Sequence, residues 1–212
     1  QFNGLGVLRG EVQASQMQIG ANAGEHERFS IKKLDGSNLG RGLLDGPRSG
    51  VDVNIGFNNM AFLVDGKRFE VRDTVALDDQ LSTSLAANSA IAKVAAMNST
   101  SQELGIVMKV VGTKFTSTTA VTAATLDSDT FLEINDTKIS GFTVQANDAD
   151  GSLTDAINAA SEETGVIASL DSEAKLVLSA KDGRNIEFRV QGFGAAYLGQ
   201  ADNTTIVQGG EI

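Results

Sequence analysis

The chain has 212 residues, a formal net charge of −10, one His, no Cys, no Trp and 23 Gly. Acidity without a Lys/Arg-rich run argues against nucleic acid and anionic membrane surfaces as partners. The missing Cys excludes disulfides, thiolate chemistry and Cys-ligated zinc.

No apolar run approaches the roughly 18 residues needed to span a bilayer. The length suits one large or two small domains with a core of Val, Ile, Leu, Ala and ten Phe. The start at Gln1 suggests a piece of a longer protein, with any export signal outside it. Along the first forty residues, Met17 and Ile19, then Phe29 and Ile31, alternate with polar neighbours, as half-buried strands do. Gly20–Gly24 reads as the turn between them. The Gly-rich stretch from Gly36 to Gly50, with the only Pro (Pro47), is the expected domain boundary.

Val51-Asp52-Val53-Asn54-Ile55-Gly56-Phe57 alternates like a strand, and Asp65-Gly66 predicts a two-residue hairpin turn. Beyond Leu81 the spacing turns helical, with Ala87, Ile91, Val94 and Ala95 expected to form the apolar stripe and Gly105 the left-handed stop. Residues 112–130, rich in Thr and Ser, read as a loop or weak edge strand. Asp150 or Ser152 is expected to cap a helix burying Leu153, Ala156, Ile157 and Ala160, ended by Gly165. A strand meander follows: 166–170, 175–179 and 185–190, with Ile186, Phe188 and Val190 on one face.

Thirteen residues recur sixty positions apart. Ala96–Met108 aligns with Ala156–Ala168, with the Ala, Asn, Ser, Glu and Gly positions identical. Each copy reads as a helix end, a Gly stop and an apolar strand, and each follows a hairpin-like stretch, 62–71 or 131–144. Such repetition is architectural before it is chemical.

Two stretches resemble bacterial flagellin. Gln1-Phe2-Asn3-Gly4, Val7-Leu8 and Met17–Gly24 look like the segment that leaves the N-terminal helices of that family. Ala156-Ile157-Asn158, Gly165-Val166, Leu176-Val177-Leu178 and Asp182–Ile186 are similar to its hook IN motif, of which Ala96–Val107 is a looser version. Arg9-Gly10 and Glu25–Arg28 depart from the usual family pattern. No sustained heptad seam is present. The resemblance therefore implies the outward-facing middle of a flagellin without its assembly helices.

That resemblance implies a β-hairpin region at 1–42 and an outer domain at 43–212, divisible at 43–120 and 121–212. The fold class expected is α+β, mostly β, with strands and hairpins packed on two short helices. The implied function is a structural subunit of an extracellular swimming filament, with other flagellin subunits as partners of the full-length protein and this piece itself monomeric. The alternatives are a hook-associated junction protein and a surface adhesion or carbohydrate-binding module. The low aromatic share disfavours the last, because sugar faces stack on Trp and Tyr.

No catalytic, cofactor-binding or metal residues are expected. His26-Glu27 lacks the second His that a zinc helix needs, so His26 is read as an exposed turn residue. Asn147–Gly151 falls out of calcium-loop register, since Ala146 and Ile157 stand at its first and last ligand positions. Gly4-Leu5-Gly6 and Gly192-Phe193-Gly194 are turns rather than phosphate loops. Asp78-Asp79 and Glu162-Glu163 are read as solvated helix faces, because adjacent helical side chains diverge. Ser99, Thr100, Thr113, Thr116, Ser117, Thr118 and Thr119 are read as hydroxyls on exposed segments, open to O-glycosylation.

Overall fold

Short alternating segments between Gly, Asn and Asp turns become short antiparallel strands in the computed structural model, which describes residues 15–18, 26–29, 52–64, 66–105 and 107–212. The chain divides into two compact units, Gln1–Gly46 and Pro47–Ile212. In the first, β1 (Ser15–Gln18) pairs antiparallel with β2 (His26–Phe29), with Ser15 opposite Phe29 and Gln18 opposite His26. His26 therefore opens a strand instead of sitting in a turn. Ile19, the 20–24 turn, Ile31 and the 36–50 boundary lie outside the described residues.

The second unit begins with hairpin β3 (Ala61–Val64) and β4 (Lys67–Glu70). Gly66, at φ +77°, takes the left-handed backbone this turn requires. Two 3₁₀ turns, Ala76–Asp78 and Ala86–Asn88, lead to α1 (Ala90–Asn98) and α2 (Ser101–Leu104). Residues 51–57, expected to be a strand, are not one in their described part. The Asp52 carboxylate accepts from Asn54 N–H at 2.8 Å, a local turn that outcompetes the ladder. The helix also turns a different face inward. Ala90, Lys93, Val94 and Met97 are buried with Ala92 and Ala96, whereas Ile91 and Ala95 are half-buried and Ala87 precedes the helix.

The remaining elements are β5 (Thr113–Ala120), β6 (Ala124–Leu126), β7 (Phe131–Ile134), β8 (Thr137–Ile139), β9 (Phe142–Val144), α3 (Ser152–Ala159), α4 (Ser161–Thr164), β10 (Ile167–Leu170), β11 (Lys175–Ala180), β12 (Ile186–Gln191) and β13 (Thr205–Gln208). They form a three-stranded sheet ordered β10-β11-β5, a four-stranded sheet ordered β13-β12-β7-β8, and the pair β6-β9. Every pairing between these strands is antiparallel among the described residues. The fold is thus α+β and mostly β.

The loop or weak edge strand expected at 112–130 holds two strands, the eight-residue edge strand β5 and the short β6. The expected meander divides: β10 and β11 pair, while β12 crosses to β7 and β13. Its alternation holds, with Ile186, Phe188 and Val190 fully buried. The Phe115 and Phe188 rings, 5.2 Å apart, join the two sheets. Leu153 and Ile157 of α3 complete this core, with Ala156 and Ala160 against it, as the helical spacing predicted. A separate, smaller cluster gathers Val71, Val94, Ala96 and Met97.

Candidate functional site

The repeated segments build the same device twice. α4 ends at Gly165 (φ +70°) and α2 at Gly105 (φ +67°), both left-handed, so the chain reverses beside the preceding helix. Asn158 then meets Ala168: its Nδ2 donates to the Ala168 carbonyl at 3.1 Å and its Oδ1 accepts from the Ala168 N–H at 2.8 Å. Asn98 treats Met108 identically, at 3.0 and 2.8 Å. The copies differ downstream. Ala168 lies in β10, whereas Met108 lies in backbone outside any strand, so the expected first apolar strand does not form.

Around the second copy, polar side chains lock the turn. The Thr164 carbonyl accepts from Asn135 Nδ2 at 2.7 Å and Arg184 Nη1 at 3.2 Å. Buried Asn135 also accepts from Glu187 N–H at 2.8 Å, tying the β7–β8 turn to β12. Burial raises the Asp182 carboxyl, but hydrogen bonds and charge from Arg184 outweigh it and hold it below its ordinary value. These bonds position α4 against both sheets.

The carboxylates singled out by sequence also serve structure. Asp150 takes only the first N–H of α3, that of Ser152 at 3.3 Å, and Ser152 itself caps nothing. Buried Asp148 caps the helix, accepting from Leu153 N–H at 2.8 Å, Thr154 N–H at 3.0 Å and the Thr154 hydroxyl at 2.9 Å. Asn147 and Asp148 both adopt positive φ to aim it. Asp78 and Asp79 are not solvated faces. Two bonds of 2.7 Å from Arg72 hold the Asp78 carboxyl below its usual range, and buried Asp79 accepts from Leu81 N–H, Ser82 N–H and Ser82 Oγ. Glu162 and Glu163 are exposed on the first turn of α4.

Gly192 and Gly194 are turn residues at positive φ, and the Phe193 and Gly194 N–H groups donate to Asp202, each at 3.2 Å. Gly4-Leu5-Gly6 and the His26 side chain lie outside the described residues. Among the hydroxyls, Thr100, Thr113 and Ser117 are buried, contrary to expectation; Ser99, Thr116, Thr118 and Thr119 are exposed. Thr113 Oγ1 donates to the Arg184 carbonyl, and Ser117 Oγ accepts from Leu176 N–H at 2.9 Å.

Two surface features were not legible in the sequence. An open groove of about 280 Å³ lies between β8–β9 and the α3–α4 pair, lined by Lys138, Phe142, Ala156, Ala160 and Glu163 among others. Glu133, Asp136 and Glu187 bring carboxylate oxygens within 4.8 Å of one another, with Arg189 2.6 Å from Glu133. Arg189 partly neutralises this acidic cluster and makes it an ion-pair network. No helix among the described residues is long and apolar enough to cross a membrane.

Comparison with known proteins falls on the same region. Residues 132–182, which contain the Asn158 device, match the flagellin hook IN motif. Flagellin B of Helicobacter pylori is 30% identical over 201 residues, covering 87% of this chain and 36% of that protein. Flagellin A of Helicobacter felis is 28% identical over 218 residues, covering 99% of this chain and 39% of that protein. Flagellin A of Helicobacter pylori is 29% identical over 193 residues, covering 89% and 35%. The chain spans little more than a third of the length of these relatives. Across most of its own length the chain is similar to these flagellins, a likeness that implies a structural protein.

Proposed function

We propose that this flagellin-like chain forms part of the outer surface of a bacterial flagellar filament and carries out no catalysis. The observation that carries the reading is the coincidence of the hook IN match with the most densely packed and cross-bonded part of the structure. Several carboxylates are committed to caps and ion pairs: Asp78, Asp79, Asp148 and Asp182 all hold backbone or Arg. Antiparallel sheets tied by buried side chains suit a surface that transmits torque without changing shape. The working partners of the full-length protein are other flagellin subunits, and its location is extracellular. Within the outer region we read two subdomains; the two separate apolar clusters favour the division, and because β5 pairs with β11 and Phe115 belongs to the larger cluster, the boundary is drawn near residue 112 rather than at 120.

Immunogold labelling of intact cells with antibody raised against this chain tests the reading. Gold along the whole filament is the expected result. Gold confined to the filament base would replace it with a hook-associated junction protein, and labelled envelope beside bare filaments would replace it with an adhesin.

A further inference from the structure

The first repeat, residues 52–112, keeps the hairpin, the helix pair, the left-handed glycine and the asparagine device of the second, but not its closing strands. Ala168 lies in a strand paired with β11, and Met108 has no equivalent partner among the described residues. The packing differs accordingly. Among the described residues, eight apolar side chains of the first repeat are buried and only four of them form a cluster, against nineteen in the main cluster. Of the nine exposed large apolar side chains among the described residues, eight fall between Ile55 and Val111, with Leu77 82% and Leu63 75% exposed. A unit of that size with so small a core offsets little of its ordering entropy.

What the first repeat lacks in core it receives as attachments. Asn185, 1% exposed and next to β12, donates its N–H to Ser82 Oγ at 2.8 Å and its Nδ2 to the Ser84 carbonyl at 3.0 Å. Val111 N–H donates to the Glu211 carbonyl at 2.9 Å, and Glu211 N–H to the Gly112 carbonyl at 3.1 Å. Ile212 packs on the Val71–Val94–Met97 cluster. We infer that residues 52–112 are a conditional unit, held native by Asn185 and the 211–212 segment, which opens as a whole while residues 113–208 stay folded. This rests on the two-subdomain reading and is independent of the filament one. Low-stability units of this kind are recognised by few buried apolar contacts.

Native-state hydrogen exchange on the 212-residue chain, in increasing sub-denaturing urea, tests it. Val94 and Met97 amides should exchange through an opening at least about 100-fold more populated than the one exposing Leu178 and Phe188. Asn185→Ala should speed α1 exchange about tenfold, the effect of losing roughly one buried hydrogen bond, and leave Leu178 and Phe188 within about twofold. Because Asn185 adjoins β12, Ile212→Ala is the second variant, and it should also accelerate α1 alone. A single exchange isotherm shared by α1 and the strands would overturn both the inference and the two-subdomain reading. A separate α1 opening unmoved by either variant would keep the subdomains and overturn their dependence.

Discussion

Asn158 takes the place of a missing strand beside Ala168. Ala168 faces Leu178 across the β10–β11 ladder, yet its own N–H and C=O point away from β11 and are both taken by the Asn158 amide. A carboxamide carries one donor and one acceptor side by side, as a peptide group does, so it can close a sheet edge at one residue. Asn98 makes the same two bonds to Met108, where no ladder follows.

Removing that amide frees two backbone groups at once. Asn158→Ala is expected to lower unfolding free energy by about 1–3 kcal/mol, with Asn158→Asp no better because its carboxylate would face the Ala168 carbonyl. Urea denaturation of the two variants checks this; wild-type stability in both would remove the amide from the account.

The two left-handed glycines separate conformational strain from steric contact. At Gly105 an added methyl meets nothing within 4 Å, so Gly105→Ala should cost about 1 kcal/mol from backbone strain. At Gly165 the same methyl would run into the Arg184 guanidinium, which is pinned by Asp182 and the Thr164 carbonyl. Gly165→Ala should therefore cost about 2–4 kcal/mol, and the excess should shrink in an Arg184→Ala background. Denaturation midpoints of the wild type, Gly105→Ala, Gly165→Ala, Arg184→Ala and the Gly165→Ala/Arg184→Ala double variant decide it.

Apolar alternation revealed β12 because Ile186, Phe188 and Val190 carry the signal themselves. β5 obeys the same two-residue period, with Thr113, Phe115 and Ser117 inward, but two of those three are hydroxyl residues whose burial depends on long-range bonds. Residues 51–57 show the converse: the alternation was present and Asp52 overrode it locally. The inner face of α1 was misread because it includes Lys93, and a hydrophobic stripe has no place for a buried cation. Asp148 was missed as a cap because it lies five residues before Leu153, at the end of a short turn (Ala146–Asp148) that positive φ at Asn147 and Asp148 bends back toward the helix. The hook IN resemblance was legible from Asn158, Gly165 and the strands after them; the polar bonds that converge on Thr164 were not.

Tyr197 is the one tyrosine of the chain, stacked on Phe193 at 4.1 Å with its hydroxyl donating to the Thr122 carbonyl at 3.2 Å. Burial, aided by the negative charge of Asp148, pushes its pKa from 10.0 up to about 12. Its folded pKa exceeds its unfolded one, so the contribution is intact below pH 10.0 and is lost as pH rises towards about 12. A shift of this size corresponds to about 2–3 kcal/mol. Phenolate absorbance should rise only as the protein unfolds, and Tyr197→Phe should remove the alkaline loss.

Lys93 works in the opposite direction. It is buried on α1, its Nζ donates to the Asp52 carbonyl at 2.5 Å, and it lies 5.8 Å from the centre of the Phe57 ring. Burial lowers its pKa from 10.5, and the Asp52 charge only partly restores it. The unfolded chain therefore holds more protons between the lowered value and 10.5, so stability from this group rises with pH across that window. Tyr197 masks the upper end, which makes Tyr197→Phe the right host. In it, Lys93→Met should flatten the rise and leave neutral-pH stability within about 1 kcal/mol, since an apolar side chain of similar length replaces a buried charge. Lys93→Ala, which also empties the space, should cost about 1–3 kcal/mol. Thermal unfolding followed by circular dichroism from about pH 8 to about pH 10.5, with the window set by the Lys reference value, reads both. An undiminished rise in Lys93→Met would assign it to another group.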